Sequence, residues 1–431
     1  MTGVAMDMVD PRATGYRWAW RVLAGLQALL LVVGGAALAV WWSPAPHSDW
    51  LYYWQAAGKP DDYVRGGLGL WLLALPKALG MSPVASALAV NLPSSLWLLV
   101  IAYRLDAGRS KVLAQLVALY LLLIVPFAGI VQLDLVAAAG LGTAYWLLAD
   151  EGFRLERHWR FGMAVACVVF AVSTKPQYAL VLWALLALSL PVAWWLRHFL
   201  SPGFRRIVLA LLAGSVLGFA VDMGMRVSSG KTEEIRTSSA VTLYGGLLVS
   251  SDQPSKGCGY WSVEAAQAAK EDLHKPLSQA VLDRLQAQPI GHWVSVVWCK
   301  VPEILSPPPY ALYWLIESPN IRAHIDARPD REQINAVYFR ALEVERKAYG
   351  WARGLIILAC IWTALVLLRR RDPLGALPLL WLIGFWSVHM VFEVQGRYFL
   401  GLFVLAPILC AAVGRLARSS VATDGRMAPV S

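Results

Sequence analysis

"LAGLQALLLVVGGAALAVWWSPAPHSDWLYYWQAAG", residues 23–58, decides the architecture. Its first twenty residues carry a single polar side chain, Gln27. As a helix they reach across about 30 Å of hydrocarbon. The chain then places His47 and Asp49 among six aromatic rings, at the depth where a membrane helix meets water. The segment reads as a transmembrane helix that emerges into a functional loop rather than as a secretory leader. Residues 23–42 are long for a leader's apolar core, and Trp41-Trp42-Ser43-Pro44 is a poor small-residue cleavage site.

The same pattern recurs along the chain. Of 431 residues, 58% are hydrophobic and only 15% charged, and the mean hydropathy is +0.53. Soluble domains of this length do not have that balance. The sequence predicts an all-α polytopic membrane protein with about ten spans, near 20–42, 84–103, 112–130, 134–149, 161–174, 177–196, 207–225, 351–368, 374–390 and 398–414. Helices follow because an open strand in lipid leaves its backbone unsatisfied.

The net charge of +10 is a topology signal rather than a nucleic-acid footprint. Arg104/Arg109/Lys111, Arg154/Arg157/Arg160, Arg197/Arg205/Arg206, Arg369/Arg370/Arg371 and Arg415/Arg418 all fall on one side if ten spans alternate from a cytoplasmic N-terminus. Segment 226–350, nearly neutral, falls on the other. This organisation gives an N-terminal seven-helix module, 1–225, whose first outer loop is 43–83. An extracytoplasmic domain, 226–350, follows, then a three-helix module, 351–416, and a cytoplasmic tail, 417–431. The expected location is the inner (plasma) membrane, multi-pass, with the active site facing the periplasm or cell exterior.

Within the first outer loop, "DDYVRGGLGLWLLALPKALG", residues 61–80, has helical apolar spacing. Arg65, Pro76 and Lys77 argue against a span, so it reads as an interfacial helix with Trp71 at headgroup depth. The outer domain is expected to be mostly helical. Residues 276–305 have helical periodicity broken at Pro289, and the prolines at 307–309 stop any helix. Trp293, Trp298, Tyr310, Tyr313 and Trp314 suit a segment resting on the membrane interface. Cys258 and Cys299 share this exported segment, where a disulfide is permitted but not dictated by sequence. Cys167, Cys360 and Cys410 lie within predicted spans as small core residues.

Ionisable residues at span ends are costly unless paired or used. Asp49, Asp134, Lys175, Asp222, Glu393 and Arg397 all fall at outer helix ends in this topology. Asp49 either caps the short helix after Ser48 or serves as a general base beside rings suited to a sugar face. Lys175 in "STKPQY" either snorkels to lipid phosphate or belongs to an anion site. Arg397 in "FEVQGRY" either pairs with Glu393 or joins Lys175 in holding a phosphate. Asp134 is either an N-cap or a second acid. Asp222, one turn from Arg226, reads as a structural pair outside the site. His47, Tyr52, Tyr53, Asp134, Gln177, Glu393 and Tyr398 are the substrate-binding candidates. Walker, Rossmann, Cys-x-x-Cys, His-x-x-x-His and Gly-x-Ser-x-Gly patterns are absent, so a donor has to arrive through the membrane.

"HSDWLYYWQAAG", "YVRGGLGLWLLALPKALGMSPVASALAVNL", "LDLVAAAGLGTAYWLL", "STKPQYALVLWALL" and "EVQGRYFLGLFVLAPIL" together resemble the GT-C superfamily of membrane glycosyltransferases. "DRLQAQPIGHWVSVVWCKVPEIL" is similar to the outer-domain segment of some members. The sequence departs where several members have an acidic pair, keeping only Asp49, and where Arg65-Gly66-Gly67 replaces a tyrosine-proline turn. The resemblance implies an inverting hexosyl or pentosyl transferase with Asp49 as base and Lys175 and Arg397 on the donor phosphate. The expected donor is a polyprenyl-phosphate sugar and the acceptor a glycan or glycolipid. No further cofactor is required, though a divalent cation bridging Asp49 to phosphate is compatible. Membrane lipid is a partner and nucleic acid is not. Two other classes compete: an O-antigen polymerase or ligase working through His274, His292 and His324, and a lipid-linked glycan transporter. No repeated halves support the latter.

Overall fold

The computed structural model describes residues 11–108, 110–150, 156–195, 202–247, 259–305 and 311–424. Arg109, Arg154, Arg197, Cys258, Tyr310 and the prolines at 307–309 lie outside them. Among the described residues there are helices and turns but no strand.

The N-terminal part comprises α1 (Pro11–Trp42), α2 (Ser48–Ala56), α3 (Gly67–Ala78), α4 (Pro83–Leu105), α5 (Val112–Leu123), α6 (Leu133–Ala149), α7 (Arg157–Thr174), α8 (Gln177–Trp195) and α9 (Pro202–Ser228). Then come α10 (Thr232–Leu247), α11 (Val263–Glu271), α12 (Leu277–Gln286), α13 (Ile290–Leu305), α14 (Ala311–Ile316) and α15 (Pro319–Asp326). The chain closes with α16 (Arg331–Leu368), α17 (Leu377–Val391) and α18 (Leu400–Asp424).

Each of the ten expected spans overlaps a helix, but among the described residues seven helices are long and apolar enough to cross a membrane. These are the helices at 18–42, 83–105, 177–195, 202–228, 331–368, 373–391 and 396–418. Helices α5 and α6 are shorter apolar helices of 12 and 17 residues. The expected run at 112–130 breaks after Leu123 because Pro126 cannot donate a helical hydrogen bond. The chain forms a 3-10 turn, Val125–Gly129, instead. The side-chain amide of Asn91 on α4 donates to the carbonyls of Phe127, Ala128 and Ile130 at 3.1, 3.2 and 2.6 Å. Asn91 thereby fixes the turn that leads into α6 and Asp134.

Helix α18 is the axis of the bundle. From Leu402 to Leu409 its side chains are almost wholly enclosed, and it packs on α4, α5, α6, α16 and α17. Helices α7 and α9 run close together because Gly214 and Gly218 lack side chains: a Cβ there would lie 2.4 Å from Val168 Cβ and 2.8 Å from Val169 O. Small residues four apart commonly let membrane helices approach in this way. Helix α3 spans only twelve residues, about 18 Å at 1.5 Å per residue, too short to cross. It buries Leu70, Leu73 and Pro76 and exposes Trp71, Leu72 and Leu75, as an interfacial helix does.

In the outer segment the break at Pro289 separates α12 from α13. Helix α13 exposes Ile290, Val294, Val297, Trp298, Val301 and Leu305 along one stripe, with Val296, Lys300 and Ile304 on the buried side. Trp298 faces outward as an interfacial ring would, whereas Trp314 turns inward and is 6% exposed. Helix α16 is continuous from Arg331 to Leu368, so the passage at 350–351 lies within one rod. Cys299 is disulfide-bonded, and Cys167, Cys360 and Cys410 are free.

Candidate active site

Helix α2 presents Asp49 from its first turn. His47 occupies the N-cap position and makes no side-chain capping bond, and the Asp49 carboxylate faces away from the helix backbone toward two guanidiniums. Arg65 pairs with Oδ1 and Arg397 with Oδ2. The capping alternative therefore gives way to an ion-pair cluster joining the first outer loop to a residue 348 positions later.

Arg65 reaches Asp49 because of the glycines that follow it. Gly66 has φ +72°, a left-handed conformation that glycine adopts without steric cost, and a Cβ on it would lie 2.9 Å from Thr174 O. The loop thus lies directly on the end of α7, one residue before Lys175. Tyr52 Oη accepts from the backbone N–H of Val64 at 2.8 Å and Arg65 at 3.2 Å, and the Arg65 guanidinium stands 5.5 Å over the Tyr52 ring. From below, Asp222 pairs with Arg226 at 2.6 Å and faces the Gly66 and Gly67 backbone. Asp222 thus pairs with Arg226, one turn on, and braces the loop that carries Arg65.

Lys175 is 7% exposed and does not snorkel to lipid: its ammonium lies 3.0 Å from Asp134 Oδ2. Asp134 is not an N-cap, since Gln132 holds that position in α6. Gln177 Nε2 is 3.5 Å from the second Asp134 oxygen. Two rings bind this pair to the Asp49 group. Lys175 Nζ is 5.9 Å from the Tyr53 ring and 5.5 Å from the Tyr398 ring, and Arg397 Cζ is 5.1 Å from Tyr398. On its other side Arg397 stacks over Trp314 at 4.9 Å, and His47 stacks on the same Trp314 at 4.9 Å. Such cation–ring contacts gain when desolvated.

Glu393 completes the group. Its carboxylate accepts from Gln395, and Asp49, Arg65 and Arg397 are near enough to act on its charge. Segment 226–350 holds its backbone: Glu393 N donates to Thr242 O at 2.9 Å and Val394 N to Gly259 O at 2.7 Å. A second clip joins segment 226–350 to the loop after α1, where Ala45 N donates to Ser318 Oγ at 2.7 Å and to Asn320 Oδ1 at 2.8 Å.

Burial alone would lift the Asp49 carboxyl, but Arg397, Arg65 and Lys175 more than reverse this and hold it well below the usual carboxylate range. Burial disfavours the Lys175 ammonium, yet Asp134 raises it above an ordinary lysine. Glu393 goes the other way: burial pushes it up to about 7 against the pull of Gln395 and Arg397. His47 is lowered by burial. Asp49 and Asp134 pair with Arg65, Lys175 and Arg397, and Glu393 adds a further negative charge only when it ionises. A largely enclosed group of three cations fits an anionic ligand.

The expected Asp49, Asp134, Lys175, Glu393, Arg397, His47, Tyr52, Tyr53, Gln177 and Tyr398 all join this network. Arg65 and Trp314 also belong to the network, although in the sequence Arg65 stands out only as a charge against a span and as part of the Arg65-Gly66-Gly67 departure, and Trp314 only as an interfacial ring. His292 bonds instead to Leu247 O at 3.1 Å. Among the described residues no bond or ring contact ties His274, His292 or His324 to Asp49. No three His, Cys, Asp or Glu side chains among the described residues gather as metal ligands. Each Asp49 oxygen is instead paired with a guanidinium. Comparison of the chain with family models, curated proteins and solved structures gave no match.

Proposed function

We propose that the protein is a membrane glycosyltransferase moving a sugar from a polyprenyl-phosphate donor to the hydroxyl of a glycan or glycolipid acceptor. The reaction takes place at the outer face of a ten-span inner-membrane bundle. The observation that carries this reading is the convergence of three cations and three carboxylates, from four separate stretches of the chain, at one end of apolar helices. A lipid-borne phosphate meets a membrane protein at that depth.

In this reading Arg65, Lys175 and Arg397 take the donor phosphate, and the aromatic residues beside them hold the sugar. The free protein keeps Asp49 a weak base by pairing it with two arginines. When the donor phosphate draws Arg65 and Arg397 toward itself, that pull relaxes and Asp49 becomes basic as the acceptor arrives. The acceptor O–H then gives its proton to Asp49 while its oxygen bonds to the anomeric carbon. The bond from that carbon to the phosphate oxygen breaks, and polyprenyl phosphate leaves with its added charge met by the three cations.

The test is transfer of labelled sugar from a short-chain isoprenyl phosphosugar by purified protein in nanodiscs. Wild-type protein forms glycosylated acceptor and Asp49→Asn does not, while remaining inserted and monodisperse. Full activity of Asp49→Asn removes Asp49 as the base, and uptake of lipid-linked sugar without covalent product replaces the enzyme with a transporter.

A further inference from the structure

Lys300 lies on the buried face of α13 with no exposed surface. Its ammonium donates to three backbone carbonyls: Gly246 at 2.8 Å, Phe392 at 2.9 Å and Met390 at 3.0 Å. These carbonyls cluster at the C-terminal ends of α10 and α17, where helix dipoles place partial negative charge. Three donors meet three acceptors, which accounts for an ammonium held here without a carboxylate in direct contact. Burial lowers it to about 7 even so, with Glu393 opposing the shift.

The surroundings are shaped to admit this side chain. Gly259, at φ +79°, faces its methylenes, and a Cβ there would lie 2.8 Å from Lys300 Cε. Gly259 O is also the acceptor for Val394 N. Lys300 therefore holds Met390 and Phe392 directly, while Gly259, packed against its stem, holds Val394, three residues before Arg397. The hydrogen-bond partners of segment 390–394, Thr242, Gly259 and Lys300, all belong to the outer domain.

We propose that Lys300 is a positioning residue: its ammonium clamps the end of α17 to the outer domain and thereby sets Glu393 and Arg397 against Asp49. Its catalytic consequence rests on the glycosyl-transfer reading; the clamp itself does not. Without the ammonium, two helix C-termini lose a shared donor and the 393–397 loop is free to withdraw Arg397 from the cluster.

Lys300→Met keeps the length and removes the donors. Full-length wild-type and variant proteins in nanodiscs are labelled with phenylglyoxal, and each modified arginine is mapped by mass spectrometry. The clamp predicts that Arg397, 4% exposed at its side chain and protected in the wild type, labels at least fivefold faster in Lys300→Met while Arg415 at the opposite end of α18 is unchanged. Unchanged Arg397 labelling overturns the proposal. If Lys300→Met does not insert, Gly259→Ala, which crowds the lysine stem but leaves its charge, carries the same prediction and the same refutation. In transfer kinetics, Lys300→Met lowers kcat about tenfold or more with acceptor KM within about twofold, since Arg397 acts on the departing phosphate. Equal losses in both parameters, or none, overturn the catalytic consequence. A wild type without transfer defeats the glycosyltransferase reading, and the labelling still decides the clamp.

Discussion

Asp134 and Lys175 form an ion pair at 3.0 Å with side chains 1% and 8% exposed, so the account can be tested through its energetics. At an effective dielectric near 20, two unit charges at that distance attract by about 5 kcal/mol. Burying them cancels much of this, but removing one partner strands the other, at a cost of about 3–5 kcal/mol. Asp134→Asn leaves the Lys175 ammonium enclosed beside Arg397 with no anion in contact. Lys175→Met strands the carboxylate of Asp134 in the same way. The double variant strands neither charge, so its destabilisation is smaller than the sum of the single costs by about 2 kcal/mol or more. The measurement is reversible unfolding of the detergent-solubilised protein in increasing SDS, for wild type, both single variants and the double. Costs that add to within about 0.5 kcal/mol mean that the two side chains do not interact, and the site's geometry is then wrong at its best-enclosed point.

Other consequences follow from the same cluster. Arg65→Met removes one of the proposed phosphate donors and lowers kcat about 100–1000-fold in the transfer assay, with insertion unaffected; a loss under threefold removes Arg65 from the site. Gly66→Ala forces a side chain into a left-handed backbone against Thr174 O and costs about 1–2 kcal/mol in SDS unfolding, where an unaltered midpoint contradicts the loop's conformation. Glu393 has its folded value raised from 4.5 to about 7, so its stability contribution is full below 4.5 and is lost as pH rises to about 7. The span corresponds to about 3 kcal/mol, and Glu393→Gln flattens the difference when unfolding is measured between pH 4.5 and 7.5.

The sequence made some of this site legible and hid the rest for physical reasons. Asp49, Asp134, Lys175, Glu393 and Arg397 stand out because each interrupts or borders an apolar run, where an ionised group needs a cause. Lys300 has no such contrast: it sits in an amphipathic helix, and its partners are backbone carbonyls, which leave no trace in side-chain pattern. Trp314 has the pattern of an interfacial ring, but the fold sets Arg397 and His47 against it. Helix boundaries divided similarly. Pro126 announced a break that the apolar run around it concealed, because the compensating donor is Asn91, on another helix. The continuity of α16 through residue 350 follows from a stretch without proline between Arg331 and Leu368, which the change from polar to apolar composition made easy to divide.

The most direct measurement of the central claim is a structure of the full-length protein in nanodiscs with a non-transferable isoprenyl phosphosugar bound. Phosphate oxygens are expected within about 3 Å of nitrogen atoms of Arg65, Lys175 and Arg397, with Asp49 released from at least one arginine and facing the anomeric carbon. Phosphate seated away from these three cations, with Asp49 still held by both guanidiniums, contradicts the claim.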